Sequence, residues 1–430
     1  MSEPGSQAAA GTDDPGKQYR AAAGIPVIPA LDGFRAAAIF GIVALHLAGG
    51  VTGSVDRTIV SGVFPNMVDL LFIISGFVVF LPTVARGGRF GSVGGYAIRR
   101  AARLLPAYWL AIGVVLAVLA FWPADPKPAI PPFLDVGAHL FGVQTYGHLL
   151  DGDFNLGLVI DGPLWTLSLE LTFYLVLPFI AAWYFRRPLL GLALAAAVTV
   201  LWKLGFSNLR EITSWLGFAP DPRELASTEL RAVNQFPSFA FQFGLGMTAA
   251  WAYVRYRAES APKWLESRAV LIQIGSLLVL GFCMYLFGRN AIDSPVLAPS
   301  VARQDILLSL VLPAAMTAFV LATCFAPRRF QIPFALPFAR RLGDISYGVY
   351  LIHLPILFLI PALFSPEVVH IGPIDGSLAL AIIALPLAIL YGYLSARFLE
   401  QPIRRWAHRF GRRGSVARER DEVPGEALRP

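Results

Sequence analysis

The sequence predicts an all-α, polytopic membrane protein: about ten transmembrane helices around a central cavity, with both termini in the cytoplasm. Three observations predict it. The 430 residues are 56% hydrophobic and 15% charged, with a mean hydropathy of +0.61, whereas a soluble chain carries about a quarter charged residues. The apolar residues fall into discrete runs, each long enough to cross a hydrocarbon core of about 30 Å. The basic residues gather in alternate connections between those runs.

In chain order the runs cover 33–52, 66–83, 104–122, 163–184, 188–205, 235–254, 269–287, 306–325, 346–364 and 377–396. The longest connections, 123–162 and 206–234, leave no room for a sizeable soluble domain. The first 24 residues contain Glu3, Asp13 and Asp14 and no apolar core. A disordered cytoplasmic tail over 1–24 is therefore expected, with no cleavable signal peptide, and a second charged tail over 408–430. With the N-terminus inside, the connection 85–103 carries Arg86, Arg89, Arg99, Arg100 and Arg103 and no acid. The outer connections hold only 8 of the 35 basic residues, which predicts N-in, C-in. The net charge of +7 then reflects topology in a multi-pass protein of the plasma membrane, and no nucleic-acid partner is expected. Cys283 and Cys324 both lie in apolar runs, so neither a disulfide frame nor a metal site is expected.

Ionisable groups at membrane depth are costly, which makes each one a functional candidate. In the first run, Arg35 and His46 are eleven positions apart. That is about 1100° of helix, so they share a face, with an axial gap of about 16 Å. Counted from the inner surface, His46 lies about 18–20 Å up. Counted from the outer surface, Glu170 in the fourth run lies about 10 Å down. The two depths coincide, so Glu170 is expected to orient His46 as a general base. Asp69, near the outer start of the second run, is the other candidate partner.

Arg99 and Arg103, one turn apart at the entry to the third run, suit bidentate phosphate binding, although topology alone would also account for them. The ninth run opens with Ser346, Tyr350 and His353 at i, i+4 and i+7, one polar stripe. After the tenth run, Arg397, Glu400 and Arg404 are expected to form a surface ion-pair cluster. No Gly-x-Ser-x-Gly elbow, Walker loop or zinc-ligand cluster occurs, so a covalent serine mechanism has no support.

Five motifs in order resemble the membrane-bound acyltransferase 3 family. They are Arg35-x10-His46; Asp69-Leu-Leu-Phe-Ile-Ile-Ser75-Gly76-Phe77; Arg99-Arg100-x-x-Arg103-Leu-x-Pro106-x-Tyr108-Trp109; Pro163-Leu164-Trp165-Thr166-Leu167-Ser168-Leu169-Glu170; and Ser346-Tyr347-x-x-Tyr350-Leu-x-His353. Two departures stand out. Leu171 follows Glu170 where many members have a second acid, and Gln401 precedes Pro402 where arginine is usual.

The resemblance implies a transmembrane acyltransferase domain over 25–407 that O-acylates a saccharide, glycolipid or cell-envelope glycan. Acyl-CoA would be a co-substrate, with no permanently bound cofactor. It implies His46 as the catalytic base with Glu170 or Asp69, and Arg35, Arg99, Arg100 and Arg103 at the nucleotide phosphates. Trp165, Ser168, Ser346, Tyr350 and His353 are expected to bind substrate. Two alternatives remain at this point: acylation of a cytoplasmic secondary metabolite such as a macrolide, and a proton-coupled transporter in which His46, Glu170 and His353 relay protons.

Overall fold

The structure, a computed structural model, describes residues 26–49, 64, 66–151, 153–154, 158, 160–218, 221–258, 263–292, 301–363 and 376–410. The tail expected over 1–24 lies outside the described residues. So does the second tail from 411 onward, while residues 408–410 continue a helix.

The elements follow in chain order. α1 spans Pro29–Gly49, α2 Met67–Ala85 and α3 Val93–Ala120. Two short helices, α4 Phe133–Phe141 and α5 Gln144–Leu150, occupy the connection to a 3-10 turn at Gly162–Leu164. α6 Trp165–Arg186 and α7 Pro188–Ser207 come next, with the short α8 Leu209–Trp215 and α9 Pro222–Val233 behind them. Then come α10 Ala240–Ala258, α11 Lys263–Ile292, α12 Val301–Phe325, α13 Arg328–Ala335, α14 Pro337–Leu363 and α15 Gly376–Leu394. α15 runs through a π-helical turn, Ser395–Glu400, into a helix over 401–410.

Local sequence sets several of these ends. Pro29, Pro188 and Pro222 stand in first turns, where a missing N–H leaves nothing unpaired. Ser92 caps α3 by accepting from the Gly95 amide at 3.2 Å. α4 ends on Gly142, whose φ of 68° suits a residue without Cβ.

Among the described residues, nine helical stretches are long and apolar enough to cross a membrane. The run expected as a tenth span, 235–254, is helical from Ala240 but falls short of that measure. The reason is its polar content, which protein partners satisfy. Gln242 donates to Asp69 at 2.6 Å, and Thr248 pairs with Tyr184 Oη at 2.9 Å. α10 is a core helix pressed against α2. A Cβ on Gly246 would lie 2.1 Å from the Ile73 carbonyl oxygen, and one on Gly76 2.4 Å from that of Phe243. By contrast, α7 and α11 expose Leu189, Leu201, Leu271, Leu278 and Phe282, an apolar outer surface of the kind lipid tails cover.

The pairing that positions the candidate site is α1 against α14. Gly343 meets α1 at Asp32, and further along Ile39, Ile42 and Val43 pack with Val349, Tyr350 and Ile352. The two helices therefore run parallel. A Cβ on Gly343 would sit 2.2 Å from the Asp32 carbonyl oxygen. Gly343→Ala should push the helices apart and cost about 1–3 kcal/mol, read as a lower unfolding temperature in detergent; an unchanged or higher temperature would contradict this packing.

One expectation about the chain's end is corrected. Glu400 is 4% exposed and accepts from Ser395 Oγ at 3.0 Å, so it is a buried group of the π-helical turn rather than a surface one.

Candidate active site

α1 carries His46 and α14 carries His353 to the same place. His46 Nδ1 and His353 Nε2 are 2.9 Å apart, and the rings lie 5.1 Å between centroids at 24°. His353 Nδ1 is 2.6 Å from the Tyr350 carbonyl oxygen of its own helix. A carbonyl can only accept, so His353 carries a proton on Nδ1, and in the neutral imidazole its Nε2 is an acceptor. His46 must then donate from Nδ1, which leaves its Nε2 with a free lone pair. The pair thus presents a neutral base held in one tautomer by a carbonyl and a second imidazole. Tyr350 Oη donates to the Pro163 carbonyl at 2.7 Å, and Thr166 Oγ1 pairs with that phenol at 2.7 Å, joining α6 to the same layer.

The two acids expected beside His46 are engaged elsewhere, which is a correction. Glu170 accepts from Ser75 Oγ at 2.9 Å and from Tyr174 Oη in a short bond. It lies within range of the charge of Arg35, together with Arg103, Asp32 and Asp344. Glu170 is one turn, about 6 Å, along α6 from Thr166 and so belongs to the guanidinium layer rather than the imidazole layer. Asp69 accepts from Gln242 and feels the charge of Lys203, forming a separate polar cluster of α2, α7 and α10.

Three of the four expected phosphate-binding arginines fall near this second layer or the next. Arg35 donates to Asp32 Oδ1 at 3.3 Å and Arg103 acts on it. Arg100 lies over the rings of Tyr174 and Tyr96, at 5.3 and 5.8 Å from their centroids, a cation–π placement. Arg99 reaches back along α3 toward Gly95. α6 therefore presents Thr166, Glu170 and Tyr174, at i, i+4 and i+8, to the imidazole pair, the Arg35–Arg103 group and Arg100 in turn.

Of the expected substrate-binding residues, the structure brings Tyr350 and His353 to His46. It does not bring the other three. Ser346 Oγ donates to the Gly343 carbonyl one turn back at 2.9 Å and is consumed inside α14. Ser168 lies about 160–200° around α6 from Thr166 and Glu170; its face meets α5, where Tyr146 bonds Thr172 at 2.6 Å. Trp165 packs against the rings of Phe72 and Phe239. Ser75, Thr166 and Tyr174 carry no role predicted from the sequence; the i−4 and i+4 spacing of the last two about Glu170 is the signal that groups them.

Fold and site together define a multi-pass helical membrane protein with an imidazole pair and a guanidinium cluster set along one interior line. A family model described as an acyltransferase domain matches residues 28–393, and the chain belongs to the acyltransferase 3 family. It is 27% identical over 399 residues to the peptidoglycan O-acetyltransferase OatA of Listeria monocytogenes, covering 88% of this chain and 56% of that protein. It is 25% identical over 411 residues to YrhL of Bacillus subtilis, provisionally named a peptidoglycan O-acetyltransferase, covering 91% and 57%. An O-acetyltransferase of Staphylococcus aureus strain COL, also provisionally named, is 24% identical over 391 residues, covering 88% and 57%. The chain spans a little over half the length of these curated relatives. No solved structure matches.

Proposed function

We propose that the protein is an integral-membrane O-acyltransferase that moves a short acyl group, acetyl in the first instance, from acyl-CoA to a hydroxyl of a cell-envelope glycan. The observation that carries the reading is the His46–His353 pair, which leaves a lone pair on His46 Nε2 inside an acyltransferase domain. Relatives named as peptidoglycan O-acetyltransferases support the glycan acceptor.

The chain lies N-in and C-in in the plasma membrane, with 25–407 as the acyltransferase domain. Acyl-CoA arrives from the cytoplasmic side, and Arg35, Arg99, Arg100 and Arg103 attract its phosphates. Glu170, fixed by Ser75 and Tyr174, offsets part of that positive charge and keeps Arg35 and Arg103 together. The acceptor hydroxyl gives its proton to His46 Nε2 as its oxygen bonds to the thioester carbonyl carbon. The tetrahedral oxyanion then re-forms the carbonyl, and the C–S bond breaks. The departing thiolate takes the proton from His46, leaving an ester and free CoA. His353 does not touch the reactants; it fixes the tautomer and, by accepting from Nδ1, stabilises the positive charge that His46 gains.

Deleting the gene from its host and profiling envelope glycans and lipids tests this. The expected result is one missing acyl mass, restored by the wild-type gene and not by His46→Ala. An unchanged profile, with no acceptor-dependent CoA release by the purified protein, would overturn the reading.

A further inference from the structure

The connection ahead of α6 turns into the protein. Leu158, Ile160 and Leu164 are buried in it, and so is Asp161, which is 0% exposed. Among the described residues, both carboxyl oxygens of Asp161 lack a hydrogen-bond partner. A buried polar group without a partner is costly and rarely kept without a use.

Its surroundings suggest the use. Asp161 lies within electrostatic range of Tyr108, Tyr350 and Tyr391. The Tyr391 Oη is itself buried and has no partner among the described residues. The Tyr350 ring lies 5.8 Å from that of His353. Two unsatisfied polar groups therefore stand near Tyr350, the neighbour of the imidazole pair. Burial pushes the Asp161 carboxyl well above the ordinary carboxylate range, which favours its protonated form, a group that both donates and accepts. The groups it acts on here are phenols. A neutral, hydroxyl-rich ligand suits that set.

Resting on the function proposed above, we propose that Asp161, aided by Tyr391, is a specificity-determining residue: it binds a second hydroxyl of the saccharide acceptor and so aims the reacting hydroxyl at His46 Nε2. The step is binding only, with no bond made or broken at Asp161. The role differs from that of His46, since losing Asp161 affects acceptor recognition and leaves the donor untouched.

The test uses full-length purified protein, acetyl-CoA and a soluble oligosaccharide of N-acetylglucosamine. Asp161→Leu should raise the acceptor KM about tenfold or more, because a site built to bond a hydroxyl loses that bond. The KM for acetyl-CoA should stay as in wild type. Unfolding temperature should hold or rise, since the substitution removes an unsatisfied polar group. Asp161→Asn, which still donates and accepts, should stay within about threefold of wild type. Tyr391→Phe, which keeps the ring packed, should raise the acceptor KM about threefold and carries the test should the Leu variant fail to fold. Transfer by wild type with an unchanged acceptor KM in the folded Leu variant, or in Tyr391→Phe should Leu not fold, would overturn this inference alone. No transfer by wild type at all would overturn the functional reading and this inference with it.

Discussion

His46→Ala is expected to lower acceptor-dependent acyl transfer by about 10²–10⁴-fold, the usual contribution of a positioned general base. An acceptor hydroxyl is a poor nucleophile until its proton has somewhere to go, and His46 Nε2 is the lone pair left open by the 2.9 Å bond to His353. The variant should still fold. His46 is only half-buried, and its loss leaves His353 Nε2 without a donor, a cost of about 1–3 kcal/mol. Initial rates with radiolabelled acetyl-CoA, taken beside unfolding temperatures in the same detergent, separate lost chemistry from lost structure. A folded variant that keeps most of its transferase activity would remove His46 from the mechanism.

His353→Phe is the second large effect, expected at about 10–100-fold in kcat, the range seen when the group that orients a metal-bound imidazole is lost. His353 acts through His46, so the comparison that matters is with His353→Gln. Phenylalanine fills the space and offers no acceptor to His46 Nδ1. Glutamine offers a carbonyl oxygen that can accept the same proton and hold the same tautomer. If His353 is a positioning residue, glutamine recovers a substantial part of the rate at equal thermal stability. If it only fills space between α1 and α14, phenylalanine will be the milder change.

The spans and their order are legible because ten apolar runs are separated by charge and turn residues, and the helix period alone puts Arg35 and His46 on one face. The partner of His46 is not legible that way. His353 is 307 residues away, and nothing local says that α1 and α14 run side by side. Counting depth from where helices truly begin would have matched them. His46 is about 26 Å from Pro29 and His353 about 24 Å from Pro337, at 1.5 Å per residue. The ninth run read from 346 hides this, because the first turns of α14 carry Arg340, Arg341 and Asp344 and look like a connection. The same arithmetic misplaced Glu170. The connection before α6 does not wait at the surface; Asp161 is already buried and a 3-10 turn intervenes. Asp69 reads as a site residue because it is an acid at membrane depth, yet Gln242 of the weakly apolar α10 is its partner. Composition shows that a buried charge needs a partner without showing which one.

The central claim is a tautomer: His46 neutral, protonated on Nδ1 through its bond to His353, and bare on Nε2. ¹⁵N NMR of protein labelled at histidine, with the His46 signals assigned by their loss in His46→Gln, reads it directly at neutral pH. The account predicts a protonated Nδ1 and an unprotonated Nε2 for His46, the pattern disappearing in His353→Phe. A His46 protonated on Nε2, or on both nitrogens, would contradict it.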